Sequence, residues 1–282
     1  MRKLIIITTF FLWIDASAQP VVDGFMRGKG NMDLAPSLTF ESYGQYYSEL
    51  NHKVGGVGRT AISGSLYGAY GISNRIDVQM SIPYVYTQSE LSGFQDFSMY
   101  FKGALIDHTF EKDGRNVKIM LGAGFKFPMS DYETESVNSI GQADTALDAR
   151  LVWQCFRTSG FFMMLQVGYT YRLDPVPPSY AFAAKVGFAK ENYYFDIWYD
   201  QQIAVGGNDY QNWRDGDSTL RSSMSFRSFG VSYGKLGVTY YRPWGKKNGV
   251  SASASYILWG RNIGQAVGLS LAYVHRFHLG KQ

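Results

Sequence analysis

The sequence contains one cysteine, Cys155, and four histidines, His52, His108, His275 and His278. A lone cysteine excludes an internal disulfide and any zinc site built from several thiolates. No apolar run approaches the roughly 18 residues of a transmembrane helix, and the mean hydropathy is only -0.18, so a membrane-spanning helical bundle is excluded. Charged residues make up 18% of the chain, fewer than the roughly 25% of ordinary soluble domains. The net charge of +4 comes without a clustered basic stripe, so nucleic acid is not an expected partner. What the chain has in excess is aromatic residues, 21 Tyr, 19 Phe and 6 Trp, together with 31 glycines in 282 residues. Aromatic and β-branched residues run throughout, which excludes low-complexity disorder.

Residues 1–18 read as a secretory signal. Arg2 and Lys3 supply the positive end, Leu4 to Ile14 the apolar stretch, and Ala16-Ser17-Ala18 the small-residue cleavage site. Eleven apolar-region residues that include Thr8 and Thr9 are too short to cross a hydrocarbon core of about 30 Å as a helix. The expected mature chain begins at Gln19, and residues 19–282 form one domain.

From there the dominant signal has period two, the spacing at which alternate side chains face opposite sides of a sheet. In residues 76–86, Ile76, Val78, Met80, Ile82, Tyr84 and Tyr86 share one face, with Asp77, Gln79 and Ser81 on the other. Residues 117–127 and 161–172 repeat the split, and residues 34–47, 59–70, 96–106, 145–155, 180–189, 193–203, 236–243, 250–259 and 266–277 follow it less strictly. A secreted β-sandwich alternates too, but three features favour lipid. Aromatics gather near strand ends, as at Tyr67 and Tyr70, Tyr84 and Tyr86, Tyr169 and Tyr171, Tyr193 and Tyr194, Tyr240, Tyr241 and Trp244, and Trp259, where interfacial girdles sit. The second face is small and polar. Short connections (71–74, 157–160, 190–192) alternate with long ones (50–58, 129–142, 206–218), as periplasmic turns alternate with external loops. The expectation is an all-β fold, a transmembrane antiparallel up-and-down barrel in the outer membrane of a Gram-negative bacterium. A direct count gives thirteen strands, and an even number is required. Reading 219–244 as one long bulged strand, with its phase slipping around Gly234, Lys235 and Leu236, gives twelve; ten and fourteen are the alternatives.

Three short motifs resemble a known family. YGISNRIDVQMSIPYVY (70–86), with an Arg-hydrophobic-Asp triplet before a strand ending in Pro83 and Tyr84, is similar to the outer-membrane transporters grouped as the MetA-pathway of phenol degradation family. These are relatives of the long-chain fatty-acid and aromatic-hydrocarbon channels. GFQDFSMYFKGAL (93–105) and GRNIG (260–264), followed by a last strand closing on Arg276 and Phe277, resemble the same group. The resemblance implies passage of small, often hydrophobic molecules across the outer membrane. Only residues 19–32 precede the first strand, too few for the folded hatch of the fatty-acid channels.

Catalytic and metal patterns are weak. His275 is followed by Arg276-Phe277-His278, unlike the His-x-Ser-Asn element of phospholipase barrels. Asp107 and His108 are adjacent, but successive strand residues point to opposite faces. Asp209, Asp215 and Asp217 match no calcium-loop spacing. No catalytic residue, metal or cofactor is therefore assigned.

Charged side chains facing lipid at mid-depth would cost about 2–4 kcal/mol each for Lys or Arg, which forces the strand charges inward. The expected lumen lining is Asp77, Gln79, Asp96, Lys102, Lys118, Lys126, Asp148, Arg150, Arg172, Lys185, Asp196, Trp198, Asp200 and Arg276. These residues either neutralise one another in a plugged core or wall a polar passage for a small-molecule solute. Trp198 either fills the lumen or stacks on an aromatic solute. A channel is the first expectation, a non-conducting structural or adhesive barrel the second, and an outer-membrane hydrolase the third. Expected partners are outer-membrane lipid, the barrel-assembly machinery and the solute.

Overall fold

The computed structural model describes residues 22–136 and 138–279; residues 1–18, read as a signal, lie outside them. Twelve long strands form the wall. They are β1 (Asn31–Tyr43), β2 (Arg59–Gly71), β3 (Ile76–Thr87), β4 (Asp96–Phe110), β5 (Arg115–Pro128) and β6 (Ala146–Arg157), followed by β7 (Phe161–Arg172), β8 (Ser179–Ala189), β9 (Tyr194–Ala204), β10 (Ser232–Trp244), β11 (Asn248–Arg261) and β12 (Val267–His278). Each pairs antiparallel with its chain neighbours, and β1 pairs with both β2 and β12. Ser37, for instance, lies between Ala272 and Ser65. The sheet is thus closed and has no free edge, the condition for strands to cross a bilayer.

The alternation seen in the sequence becomes two surfaces. Leu121, Leu147, Leu151, Leu165, Val167, Ile197 and Val238 face outward and exposed, while their neighbours Met120, Asp148, Arg150, Val152, Gln166, Asp196 and Trp198 are buried. An exposed apolar belt on a closed barrel is the signature of a membrane-spanning wall. Tyr84, Tyr86, Tyr169, Tyr171, Tyr240 and Trp244 lie exposed at its margins. Other expected girdle residues turn inward: Tyr67 stands beside Arg27, and the Tyr194 hydroxyl donates to Asp196.

Two register slips shape the wall. Between Ala104 and Ile106 the β4–β5 ladder shifts, leaving Leu105 and Ile106 both exposed in succession and bringing Asp107 opposite Lys118. Such a bulge inserts one residue and reverses the facing of the rest of the strand. The second falls between Gly234 and Lys235 in the β10–β11 ladder, where the sequence phase also slips. The strand there is shorter than expected. Residues 210–228 are instead helical turns, α1 (Tyr210–Asp215), α2 (Ser218–Ser223) and a 3-10 turn (Phe226–Ser228).

One end of the barrel carries the short turns 72–75, 111–114, 158–160, 190–193 and 245–247, and also the start of β1 and end of β12. The other end carries the long connections. There Tyr46 and Tyr47, expected to end the first strand, belong instead to Tyr46–Glu49, which joins His52–Val54 and Ile263–Gly264 in a small separate sheet. This sheet and α1 enclose a cluster of Tyr43, Tyr46, Tyr47, Val54, Tyr210, Phe229, Ile257 and Ala266, a cap over the lumen.

Candidate functional site: a plugged lumen

Residues 22–27, which precede β1 and show no strand periodicity, enter the lumen from the short-turn end. Val22 is fully buried among Tyr100, Met120, Val152 and Met164. Phe25 meets Phe162 edge-on at 5.2 Å and Tyr194 at 6.1 Å. Gly24 lies so close to the wall that a Cβ there would displace the Gln154 side-chain amide.

The segment is fastened by charge. Lys102, completely buried, donates through Nζ to Asp23 O at 3.0 Å, Asp23 Oδ1 at 2.9 Å and Phe25 O at 2.6 Å, and lies 3.5 Å from Asp77 Oδ2. Asp77 in turn accepts the Arg27 backbone N–H at 3.0 Å. The Arg27 guanidinium joins Asp23 at 2.6 Å and Asp33 at 2.7 Å. For residues 22–27, every hydrogen bond to the wall among the described residues uses a side chain, and none belongs to the backbone ladder.

The other expected lumenal residues are drawn into pairs. Asp148 and Arg150 meet at 2.5 Å, with Thr170 Oγ1 donating to Asp148 at 2.5 Å. Lys185 lies 3.3 Å from Asp196. Lys118 joins Asp107 at 3.1 Å. Arg276, 55% exposed at the rim, reaches Asp33 at 3.5 Å, so it stands at the mouth and not in the passage. Gln79 is buried with both amide atoms lacking partners among the described residues. Trp198 is 1% exposed, donates to Thr239 Oγ1 at 3.1 Å, and lies over Gly237, where a Cβ would collide with its ring. The ring is therefore wall filling, with the Lys235 ammonium over it at 5.9 Å from its centroid.

Toward the long-loop end, Lys126 sits between Asp96 at 3.2 Å and Asp144 at 2.5 Å, and Arg172 completes the belt at 2.7 Å from Asp144. Burial by itself raises the Asp144 carboxyl, but Lys126 and Arg172 outweigh it and hold the group below its usual range. Tyr132 donates to Asp96 at 2.7 Å; burial first, then that carboxylate, pushes its phenol well above the usual value. Above this belt is a cavity of about 490 Å³, roofed where Gln142 and Arg227 exchange hydrogen bonds with each other's loop.

Asp23, Arg27, Asp33 and Asp144 were not legible as lumenal, because they lie in non-periodic segments or, for Asp33, at the start of β1. The residues weighed for catalysis, Asp107 and His108, and for metal binding, Asp209 and Asp215, have other partners. Asp107 accepts from Asn116 at 2.8 Å, and His108 rests edge-on against Phe110 at 4.6 Å. Asp209 is held by Arg261 at 2.6 Å, and Asp215 by Arg214 at 2.8 Å.

Fold and lumen together define a membrane-spanning β-barrel of the outer-membrane type, with residues 22–27 packed into its polar interior. The family model described as "Putative MetA-pathway of phenol degradation" matches residues 42–216, and the chain belongs to that family. Among solved structures, an outer membrane channel from Pseudomonas putida F1 is similar with a TM-score of 0.69 at 14% identity, over 92% of this chain and 100% of that one. Looser likenesses are the KdgM porin in complex with disordered oligogalacturonate (TM-score 0.48, 9% identity, 86% and 99% covered) and the CymD monoaromatic hydrocarbon channel (0.42, 8%, 89% and 89%). No curated protein matches the sequence.

Proposed function

We propose that the protein is an outer-membrane channel for small solutes whose path is closed by residues 22–27 and opens when they leave the lumen. The observation that carries this reading is the way the segment is held. The twelve-strand ladder closes on itself without it, and side chains alone fasten it, so its departure breaks no strand pairing. The expected lining residues, with Arg276 at the mouth and the others within, then form the polar wall that discriminates solutes by charge and width. The Pseudomonas putida F1 relative is itself described as an outer membrane channel, in keeping with this role. In the same reading, residues 1–18 direct export and are removed, residues 19–282 form one barrel domain inserted into outer-membrane lipid by the assembly machinery, and the protein carries out no catalysis.

The pairing of so many lumenal charges supports a second reading, a permanently plugged structural barrel. Flux of small solutes into liposomes bearing the reconstituted protein separates the two. A channel gives uptake above protein-free liposomes, and greater uptake when the Lys102 fastening is removed. Absence of uptake in both forms leaves the structural barrel.

A further inference from the structure

Lys235 differs from the other cations around the cavity under the cap. Arg59 is held by Glu41 at 3.2 Å, Lys126 by Asp96 and Asp144, and Arg172 by Asp144, whereas Lys235 makes no ion pair among the described residues. Asp200 lies across the ladder from it, yet the Asp200 carboxylate takes the Tyr233 hydroxyl at 3.1 Å and stays beyond ion-pairing distance. The Lys235 ammonium instead stands 5.6 Å from the Tyr233 ring centroid and 5.9 Å from that of Trp198. It does so at the register slip in the β10–β11 ladder, and such irregularities re-aim side chains beside functional sites.

The cavity that Lys235 lines also has Tyr43, Tyr46, Phe226, Phe229 and Tyr233 in its walls. Its volume of about 490 Å³ falls in the range of roughly 300–1,000 Å³ typical of small-molecule sites. Aromatic walls favour a flat ring, which they meet edge-on or offset. A single unpaired ammonium balances one negative charge, which suits a carboxylate better than a dianionic phosphate. We infer that this cavity binds a small aromatic monocarboxylate, with the ring between Phe226, Phe229, Tyr233 and Tyr43 and the carboxylate on Lys235. The inference rests on the channel reading in treating the cavity as the outer station of the solute path, but binding itself needs no conduction.

Calorimetric titration of the full-length barrel in detergent, at low salt, tests it with three probes: benzoate, benzyl alcohol and cyclohexanecarboxylate. Benzoate is expected to bind at least tenfold more tightly than either of the others. Lys235→Gln removes its advantage over benzyl alcohol, and Lys235→Arg retains it. Equal affinity for benzoate and benzyl alcohol in the unaltered protein, or an advantage that survives Lys235→Gln, overturns the inference. Cyclohexanecarboxylate binding as tightly as benzoate overturns its aromatic part. A barrel that binds benzoate in this pattern yet passes no solute contradicts the channel and leaves the site standing.

Discussion

The ammonium of Lys102, in the barrel wall, lies 2.9 Å from the carboxylate of Asp23, in the segment that fills the lumen. Lys102 is wholly buried, so this contact and its two carbonyl acceptors replace the water the cation would otherwise require. Breaking a buried pair by removing one partner costs roughly 3–5 kcal/mol, because the remaining charge is left uncompensated. Lys102→Met leaves Asp77 without its cation and leaves Asp23 with Arg27 alone, cutting this tie between the segment and the wall. The expected outcome is release of the segment, read as thiol reactivity of a Val22→Cys side chain in a Cys155→Ser background. The residue is protected when Lys102 is present and modified rapidly when it is absent.

The outward register of β5 is testable by charge. Leu121 is half exposed on the lipid face and lies mid-strand, so Leu121→Arg is expected to destabilise the folded barrel by about 2–4 kcal/mol. Reversible urea unfolding in lipid vesicles measures it. A change under about 0.5 kcal/mol, the scale of a neutral surface substitution, would place residue 121 away from lipid.

Topology is readable at the loops. Asn212, exposed in α1 at the long-loop end, and Ser159, exposed in the turn between β6 and β7, lie at opposite ends of the barrel. With Cys155 replaced by Ser, cysteine at 212 should be labelled on intact cells by a membrane-impermeant reagent, and cysteine at 159 only after the outer membrane is breached.

The Asp144 belt gives a pH dependence with a defined sign. Its carboxyl is held below the usual range by Lys126 and Arg172 against the effect of burial. Stabilisation of the 129–145 connection is therefore complete above the ordinary carboxylate pKa of about 4 and is lost as pH falls through the lower folded value. Hydrogen exchange of this connection should be slow at neutral and mildly acid pH and accelerate only below about pH 4. Asp144→Asn should make it fast throughout.

The barrel was legible because lipid and lumen impose opposite chemistry on alternate residues, so Leu121 and Lys126 report their faces by parity alone. Even the slip at Gly234 and Lys235 showed as a phase error. Other parts left no periodic trace. Asp23 and Arg27 act from a segment with no strand pattern, and Asp144 from a loop, so their ties to Lys102 and Lys126 exist only in three dimensions. The pairing of Asp107 with Lys118 depends on a bulge that parity counting does not reveal. Tyr67 and Tyr194 sit near strand ends like girdle residues, but side-chain partners on the lumenal face claim them. Trp198 shares its face with Asp196 in the strand pattern, while its burial over Gly237 depends on a small residue of the neighbouring strand.

The central claim is that residues 22–27 close a path that otherwise runs through the barrel. Single-channel recording in planar bilayers compares the full chain with one that begins at Gly28 and keeps all twelve strands. The full-length protein is predicted to be mostly closed, and the shortened one to show a steady, larger conductance. Equal conductance in the two, or none in either, would contradict the claim.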